Sequence, residues 1–250
     1  MTEDYLSDYG FVFFRAGDYD LMVDWGDGTE PVPAVNTLAG PDPYDTIFWV
    51  EHTYETPGQY DITFTGSCPG PGQPYYPETI IDVKQWGRLA GAADWSFTFD
   101  RCVNLVTISA TDGFCAGYTN FRFAFYLCEN LNAPILSTYD TSNITNMEGM
   151  FAQCYKFNQP LDSWDIHGVT STTEMFTDCR EFNQTLKSWD VSTVASMRIM
   201  FSGCLVFDQD LSCWDVQHIS SPPSNFARNC PINDTAKMPK WGQTPNTGCV

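Results

Sequence analysis

Apolar residues recur along the second half of the chain at a fixed interval. Phe99, Phe125, Phe151, Phe176, Phe201 and Phe226 step by 26, 26, 25, 25 and 25 residues. Three positions after the first five stand Cys102, Cys128, Cys154, Cys179 and Cys204. Three further on, the pattern returns to an apolar residue: Leu105, Leu131, Phe157, Phe182 and Phe207. The sixth unit reads Phe226, Asn229, Ile232, with asparagine at the cysteine position. A period in the twenties marks stacked coils, each burying its apolar face against its neighbours.

Inside one unit, Met147, Met150, Phe151 and Cys154 fall at i, i+3, i+4 and i+7, which predicts a short helix. Thr145 with Glu148 reads as its capping box. A polar turn, Asn158-Gln159-Pro160-Leu161, recurs as Asn183-Gln184-Thr185-Leu186 and Asp208-Gln209-Asp210-Leu211. Next comes Ser163-Trp164-Asp165-Ile166, repeated as Ser188-Trp189-Asp190-Val191 and Cys213-Trp214-Asp215-Val216. Its alternation predicts a strand with Trp and Ile/Val inward and Asp outward. One strand and one helix per coil predicts an α/β leucine-rich-repeat-like solenoid of about six coils with a parallel sheet. In such coils a Cys or Asn ties neighbouring backbones, so Phe99/Cys102 through Phe226/Asn229 form a structural ladder.

The first part reads differently. Residues 11–15, 21–25, 47–51, 60–65 and 79–83 are β-branched or aromatic runs separated by Gly, Pro, Asn and Asp. They predict an all-β sandwich. Residues 66–77 are rich in Pro and Gly and predict a linker. The expected organisation is therefore a sandwich and linker over 1–77, repeats over 78–232 and a C-terminal cap over 233–250. Trp241 is the aromatic lid of that cap, or a carbohydrate-stacking residue.

Two sets of motifs carry resemblances. The turn Trp25-Gly26-Asp27-Gly28-Thr29, then His52-Thr53-Tyr54 and Pro57-Gly58-Gln59-Tyr60, resembles the PKD family of immunoglobulin-like modules over roughly residues 9–66. Ile62 and Phe64 stand where that family usually has Val and Leu. The repeated Phe-Asn-Gln-Pro-Leu, Trp-Asp-Val-Ser and Met-Phe-x-x-Cys phrases are similar to the BspA-like repeat over 80–232. The first two units depart most, lacking the Trp-Asp pair. These resemblances imply a surface-exposed attachment or structural protein and no reaction.

Composition refines this picture. The net charge of −19 is uneven: −13 over residues 1–85 and −6 over the remainder. So acidic a surface argues against nucleic acid, whose phosphates require basic patches, and favours cations or basic partners. The acidic start lacks the apolar run of an export signal, and no segment approaches a membrane span. Of ten cysteines, five lie on the ladder, where a small buried side chain is the expected role. The other five are Cys68, Cys115, Cys213, Cys230 and Cys249. A Cys230–Cys249 staple is one pairing open to them, and most thiols are expected to be free. Neither Cys115 nor Cys213 has a basic neighbour to activate it, so both read as inert.

No nucleophile, metalloprotease, P-loop or dinucleotide motif occurs. His52 has no paired nucleophile and reads as a packed histidine. His167 and His218 are a weak candidate metal pair. Asp24 and Asp27 either ligate calcium or cap their own turn. The acidic row Asp140, Asp165, Asp190, Asp215 is either satisfied by nearby Ser and Thr hydroxyls or forms a partner- or cation-binding strip. No cofactor other than calcium is expected. Together these features predict a non-enzymatic protein on a virion surface, decorating capsid or tail or binding a host receptor or glycan. A bacterial cell-surface adhesin is the alternative and a glycan-acting enzyme a third. Partners are other virion proteins, a receptor or further copies of the chain.

Overall fold

The computed structural model describes residues 9–14, 20–33, 48–56, 58–67, 71–74, 79–85, 94–96, 98–112 and 117–244, with backbone alone at 9–14, 21, 48–51 and 71–74. Among the described residues six strands lie in the first part: β1 (Tyr9–Phe14), β2 (Asp20–Asp24), β3 (Val32–Pro33), β4 (Phe48–Thr53), β5 (Thr63–Ser67) and β6 (Pro71–Pro74). They form two antiparallel sheets, ordered β4-β1-β6 and β3-β2-β5. The immunoglobulin-like sandwich expected here is thus replaced, among the described residues, by two sheets three strands wide. The reason lies in the punctuation. β3 is two residues ending on Pro33 and β6 begins and ends on proline. Proline lacks the donor a central strand needs, so both stay at edges.

Two local expectations also change. β6 falls inside the stretch expected to be a linker. Residues 79–83, expected to be a strand, form none. Instead the Val83 carbonyl accepts the N–H groups of Ser109 at 3.0 Å and Ala110 at 2.8 Å. The Asp82 carboxylate takes the same Ser109 N–H at 2.8 Å.

The second half is not the α/β leucine-rich-repeat-like solenoid that the periodicity predicts. No α-helix occurs among the described residues, and a 3₁₀ turn stands at Pro134–Thr138. The supposed helix is a run of tight turns. In residues 147–153 every second N–H leaves its own coil: Met147 to Ser171 O at 3.1 Å, Gly149 to Thr173 O at 2.8 Å, Phe151 to Met175 O at 3.0 Å, Gln153 to Thr177 O at 2.7 Å. The alternate donors close three-residue turns, as in Met150 to Met147 O and Cys154 to Phe151 O. The backbone alternates because two residues per coil, four apart, are left-handed: Phe123 and Leu127, Gly149 and Gln153, Glu174 and Asp178, Ile199 and Gly203, Asn225 and Asn229. An α-helix admits no such residue in its interior. Each non-glycine residue there costs about 1–2 kcal/mol, offset by the bonds to the next coil.

The expected capping box fails for the same reason. The Glu148 N–H goes to Asn146 Oδ1 at 2.9 Å, and its carboxylate pairs with Arg122 of the preceding coil at 3.1 Å. Among the described residues parallel pairing takes the form of isolated bridges, Asp94↔Asn120↔Asn146↔Ser171↔Ser196, within the segment read as helix. The Trp-Asp segment read as strand is a pair of turns, with Trp164 N–H bonded to Leu161 O at 3.0 Å. One apolar core runs through all these coils from Trp95 to Ile232. Among the described residues no helix is long and apolar enough to cross a membrane.

Candidate functional site

Three columns of side chains organise the coils from within. Phe99, Phe125, Phe151, Phe176 and Phe201 stack with ring centroids 5.5, 5.6, 6.0 and 5.6 Å apart. Beside them the cysteine thiols bond backward. Cys128 donates to Phe99 O, Cys154 to Phe125 O and Cys179 to Phe151 O, each at 3.0 Å, and Cys204 to Phe176 O at 2.9 Å. Burial pushes the thiols of Cys128, Cys154, Cys179 and Cys204 well up, so they stay protonated donors. Indole N–H groups form the third column: Trp164 to Leu136 O and Trp189 to Leu161 O at 2.8 Å, and Trp214 to Leu186 O at 3.0 Å.

The last coil departs from the expected ladder. Asn229 does not replace cysteine. It is exposed, left-handed at φ 58°, and occupies the place of Gly203, just before the cysteine. Cys230 is the buried residue, free as a thiol, and donates to Phe207 O at 3.4 Å. The repeat lengthens by one residue before Phe226, so the matches of Cys204 to Asn229 and of Phe201 to Phe226 are both out of register. Ala227, between left-handed Asn225 and Asn229, holds the Phe201 place. Phe226 holds that of Met200, its carbonyl accepting the Phe201 N–H at 2.7 Å as Met200 O accepts that of Phe176 at 3.0 Å. The free Cys230 thiol excludes the Cys230–Cys249 staple. Phe226 meets Phe201 edge-on rather than stacked, 5.4 Å away. Trp241 packs edge-on against Phe226 at 5.0 Å, the place of a lid.

On the outer surface a further row missed by sequence reasoning holds the coils. Asn132 Oδ1 accepts Asn158 N–H at 3.0 Å and Gln159 Nε2 at 2.6 Å. Asn158 does the same for Asn183 and Gln184, and Asn183 for Asp208 and Gln209. The row ends where Lys237 donates to the Asp208 carboxylate at 2.7 Å and its carbonyl at 2.9 Å. The recurrence of Asn-Gln was its signal in the sequence; the partner one coil away was not visible there.

The acidic row lies on the same outer surface. Asp140, Asp165 and Asp190 each accept the backbone N–H two residues on, from Ser142, His167 and Ser192, at 3.0 Å; Asp215 accepts from Gln217 at 3.3 Å. The Ser142 and His167 backbone bonds hold Asp140 and Asp165 below the usual carboxylate range, and the Ser192 hydroxyl does so for Asp190. The charge on Asp165 opposes this at Asp140 and Asp190, so the row senses its neighbours. The hydroxyls of Thr141 and Thr193 serve elsewhere, donating to Asp165 O and His167 O. Melting with and without calcium is expected to agree for the wild type and for Asp165→Asn/Asp190→Asn. A calcium-dependent rise in the wild type that the variant lacks would reveal a cation strip.

The remaining candidates are also committed locally. His167 Nδ1 pairs with Asp165 at 2.7 Å, whereas His218 Nε2 bonds Val194 O at 3.0 Å, so they share no site. Asp24 accepts the Gly26 N–H at 2.9 Å. Asp27 Oδ1 takes the Thr29 N–H at 3.1 Å and hydroxyl at 2.7 Å, and its Oδ2 pairs with His52 at 2.7 Å. Trp25 stacks on that His52 ring with centroids 5.0 Å apart, and Tyr54 Oη reaches Trp25 O at 3.2 Å. The turn closes at Gly26, with φ +75°, where a Cβ would stand 2.6 Å from Asp61 O. Among the described residues no group of three or more His, Cys, Asp or Glu is placed to hold a metal.

Bonds from Thr29 lower Asp27 from 3.8 to about 2. A depressed carboxylate stabilises the fold above its unfolded pKa and loses that contribution as pH falls through the folded value. The wild type is therefore expected to lose stability between about pH 4 and pH 2. Asp27→Asn should flatten that part of an acid-unfolding curve; an unchanged slope would show that Asp27 is not its source.

The coils define a class: short turn-built repeats whose inner columns and outer rows both tie one coil to the next. Residues 119–241, just under half of the chain, match the family described as "Mycoplasma protein of unknown function, DUF285". No curated protein and no solved structure matches the chain.

Proposed function

We propose that this is a non-enzymatic structural and binding protein displayed on a virion, decorating capsid or tail or attaching to a receptor or glycan. The observation that supports it best is the deployment of its polar side chains. The Asn-Gln row, the indole column and the thiol column all bond the neighbouring coil rather than converging on a cleft. Such a stack offers a rigid face. On it Asp140, Asp165 and Asp190 each use one oxygen for their own turn and face solvent, a charge pattern suited to a basic partner. The finer kinship with BspA-like repeats, and of residues 9–66 with PKD modules, belongs to this reading and rests on the motifs.

A second reading, display on a bacterial cell surface, is favoured by two observations. Cys213 is disulfide-bonded, which suits an oxidising compartment. The matched family is described from Mycoplasma. Mass spectrometry of purified virions and of cell-envelope fractions separates the two. Enrichment with virion proteins is expected. Recovery from the envelope alone would replace the first reading by the second, and recovery from cytosol alone would overturn both.

A further inference from the structure

Three stretches of the chain read Asn-x-Thr without an intervening proline: Asn143-Ile144-Thr145, Asn183-Gln184-Thr185 and Asn233-Asp234-Thr235. Such a triplet is an acceptor for N-linked oligosaccharide in a secreted chain, and the bulky sugar needs an open surface position. The three differ in their surroundings. Asn183 belongs to the outer row. Its Oδ1 accepts the Asp208 N–H at 2.9 Å and Gln209 Nε2 at 2.8 Å, and its own N–H goes to Asn158 Oδ1 at 3.0 Å. Polar side chains of the coils before and after therefore stand against its carboxamide. In Asn233 the nitrogen itself is engaged, Nδ2 donating to Asp234 Oδ2 at 2.7 Å.

Asn143 is open on each of these counts. It is exposed, in the turn that the Ile144 N–H closes on Thr141 O at 2.9 Å, and its side chain makes no hydrogen bond among the described residues. The bridges Asn120↔Asn146↔Ser171 put Gly117 and Gly168 at the same place in the coils before and after. A Cβ on Gly168 would stand 3.4 Å from Ile144 O and 3.8 Å from Ser142 O, the carbonyls on either side of Asn143. In later coils that place is filled: Thr193 Oγ1 reaches His167 O at 2.8 Å, and His218 Nε2 reaches Val194 O at 3.0 Å. At strand-like spacing, two glycine neighbours leave about 10 Å of the stack around Asn143 without another side chain at this place.

We propose that Asn143 is a glycosylation site, carrying an N-linked oligosaccharide in the gap between Gly117 and Gly168. The transfer joins Asn143 Nδ2 to the anomeric carbon of a sugar as that carbon's bond to a polyprenyl diphosphate breaks. The diphosphate leaves with the bonding pair, Nδ2 gives up one proton to it, and nothing is oxidised or reduced. In the folded chain the Thr145 hydroxyl donates to Thr119 O at 3.1 Å. The triplet is therefore read before the coils close, and the fold must then accommodate the sugar, which the surroundings of Asn143 allow and the Asn183 row does not. The disulfide of Cys213 suits the oxidising route of a secreted chain. The site stands whether the displaying surface is viral or cellular.

The test is peptide mapping of the full chain, sent through the secretory route of a eukaryotic cell behind a supplied export signal. The secreted protein is treated with peptide N-glycosidase in heavy-oxygen water, which turns each glycosylated Asn into labelled Asp. Label at Asn143, with Asn183 and Asn233 unchanged, is expected. A bare Asn143 in the secreted protein overturns the site, and label at Asn183 or Asn233 overturns the part given to their surroundings. Asn143→Gln and Thr145→Ala should each lose the sugar, and Thr145→Ser should keep it. A Thr145→Ala chain still labelled at Asn143 would show that the triplet is not what directs the transfer.

Discussion

Phe176→Ala is expected to lower the unfolding free energy by about 3–5 kcal/mol, the range for truncating a fully buried phenylalanine. Phe176 has no exposed surface and touches aromatic rings on every side: Phe151 at 6.0 Å, Phe201 at 5.6 Å, Phe182 at 4.4 Å and Trp189 at 6.2 Å. Removing it damages two coil interfaces at once. In a stack stabilised by nearest-neighbour contacts, that loss divides the array in its middle. Phe226→Ala should cost clearly less, because Phe226 stands in the Met200 place rather than in the column, meets Phe201 edge-on and has Trp241 beyond it. Urea unfolding of both variants measures this. Equal losses would mean that the coils do not depend on their order in the stack.

The columns were legible because a buried position must repeat its residue type each time the chain returns to it. Phe151, Phe176 and Phe201 could therefore be aligned from spacing alone. What spacing misstated was the backbone between them. Met147, Met150, Phe151 and Cys154 face inward at helical intervals, but successive three-residue turns also bring positions three and four apart to one side. Only the left-handed residues distinguish the two, and Phe123, Glu174 and Ile199 give no composition cue for that conformation. Gly149 does: its φ is +60° and a Cβ there would overlap the Phe123 ring at 2.0 Å. Likewise Trp-Asp alternation reads as strand, although Asp165 turns the chain by capturing the His167 N–H. The outer rows were half legible. Their residues were visible, but whether Asp165 serves its own turn while Asn158 serves the next coil depends on geometry that the sequence does not display.

Trp189→Phe and Trp241→Phe make the same chemical change and should have different outcomes. Trp189 is buried and donates its indole N–H to Leu161 O at 2.8 Å, while its ring stacks on Trp214 at 6.3 Å. Phenylalanine there loses the donor and part of the ring volume, leaving the carbonyl with the Trp164 N–H alone. A cost of about 2–3 kcal/mol is expected, combining the lost bond and the small cavity. Trp241 belongs to the final, incomplete coil. Its Nε1 is buried without a hydrogen-bond partner, so the wild type already bears the desolvation cost of that group. Trp241→Phe removes an unsatisfied donor and keeps an aromatic ring against Phe226, so it should be close to neutral or mildly stabilising. Thermal and urea unfolding of the two variants under identical redox conditions gives the comparison. If Trp241→Phe were as costly as Trp189→Phe, the terminal indole would have to hold a bond equivalent to those of the inner coils. The end of the stack would then be built like its middle rather than as a lid.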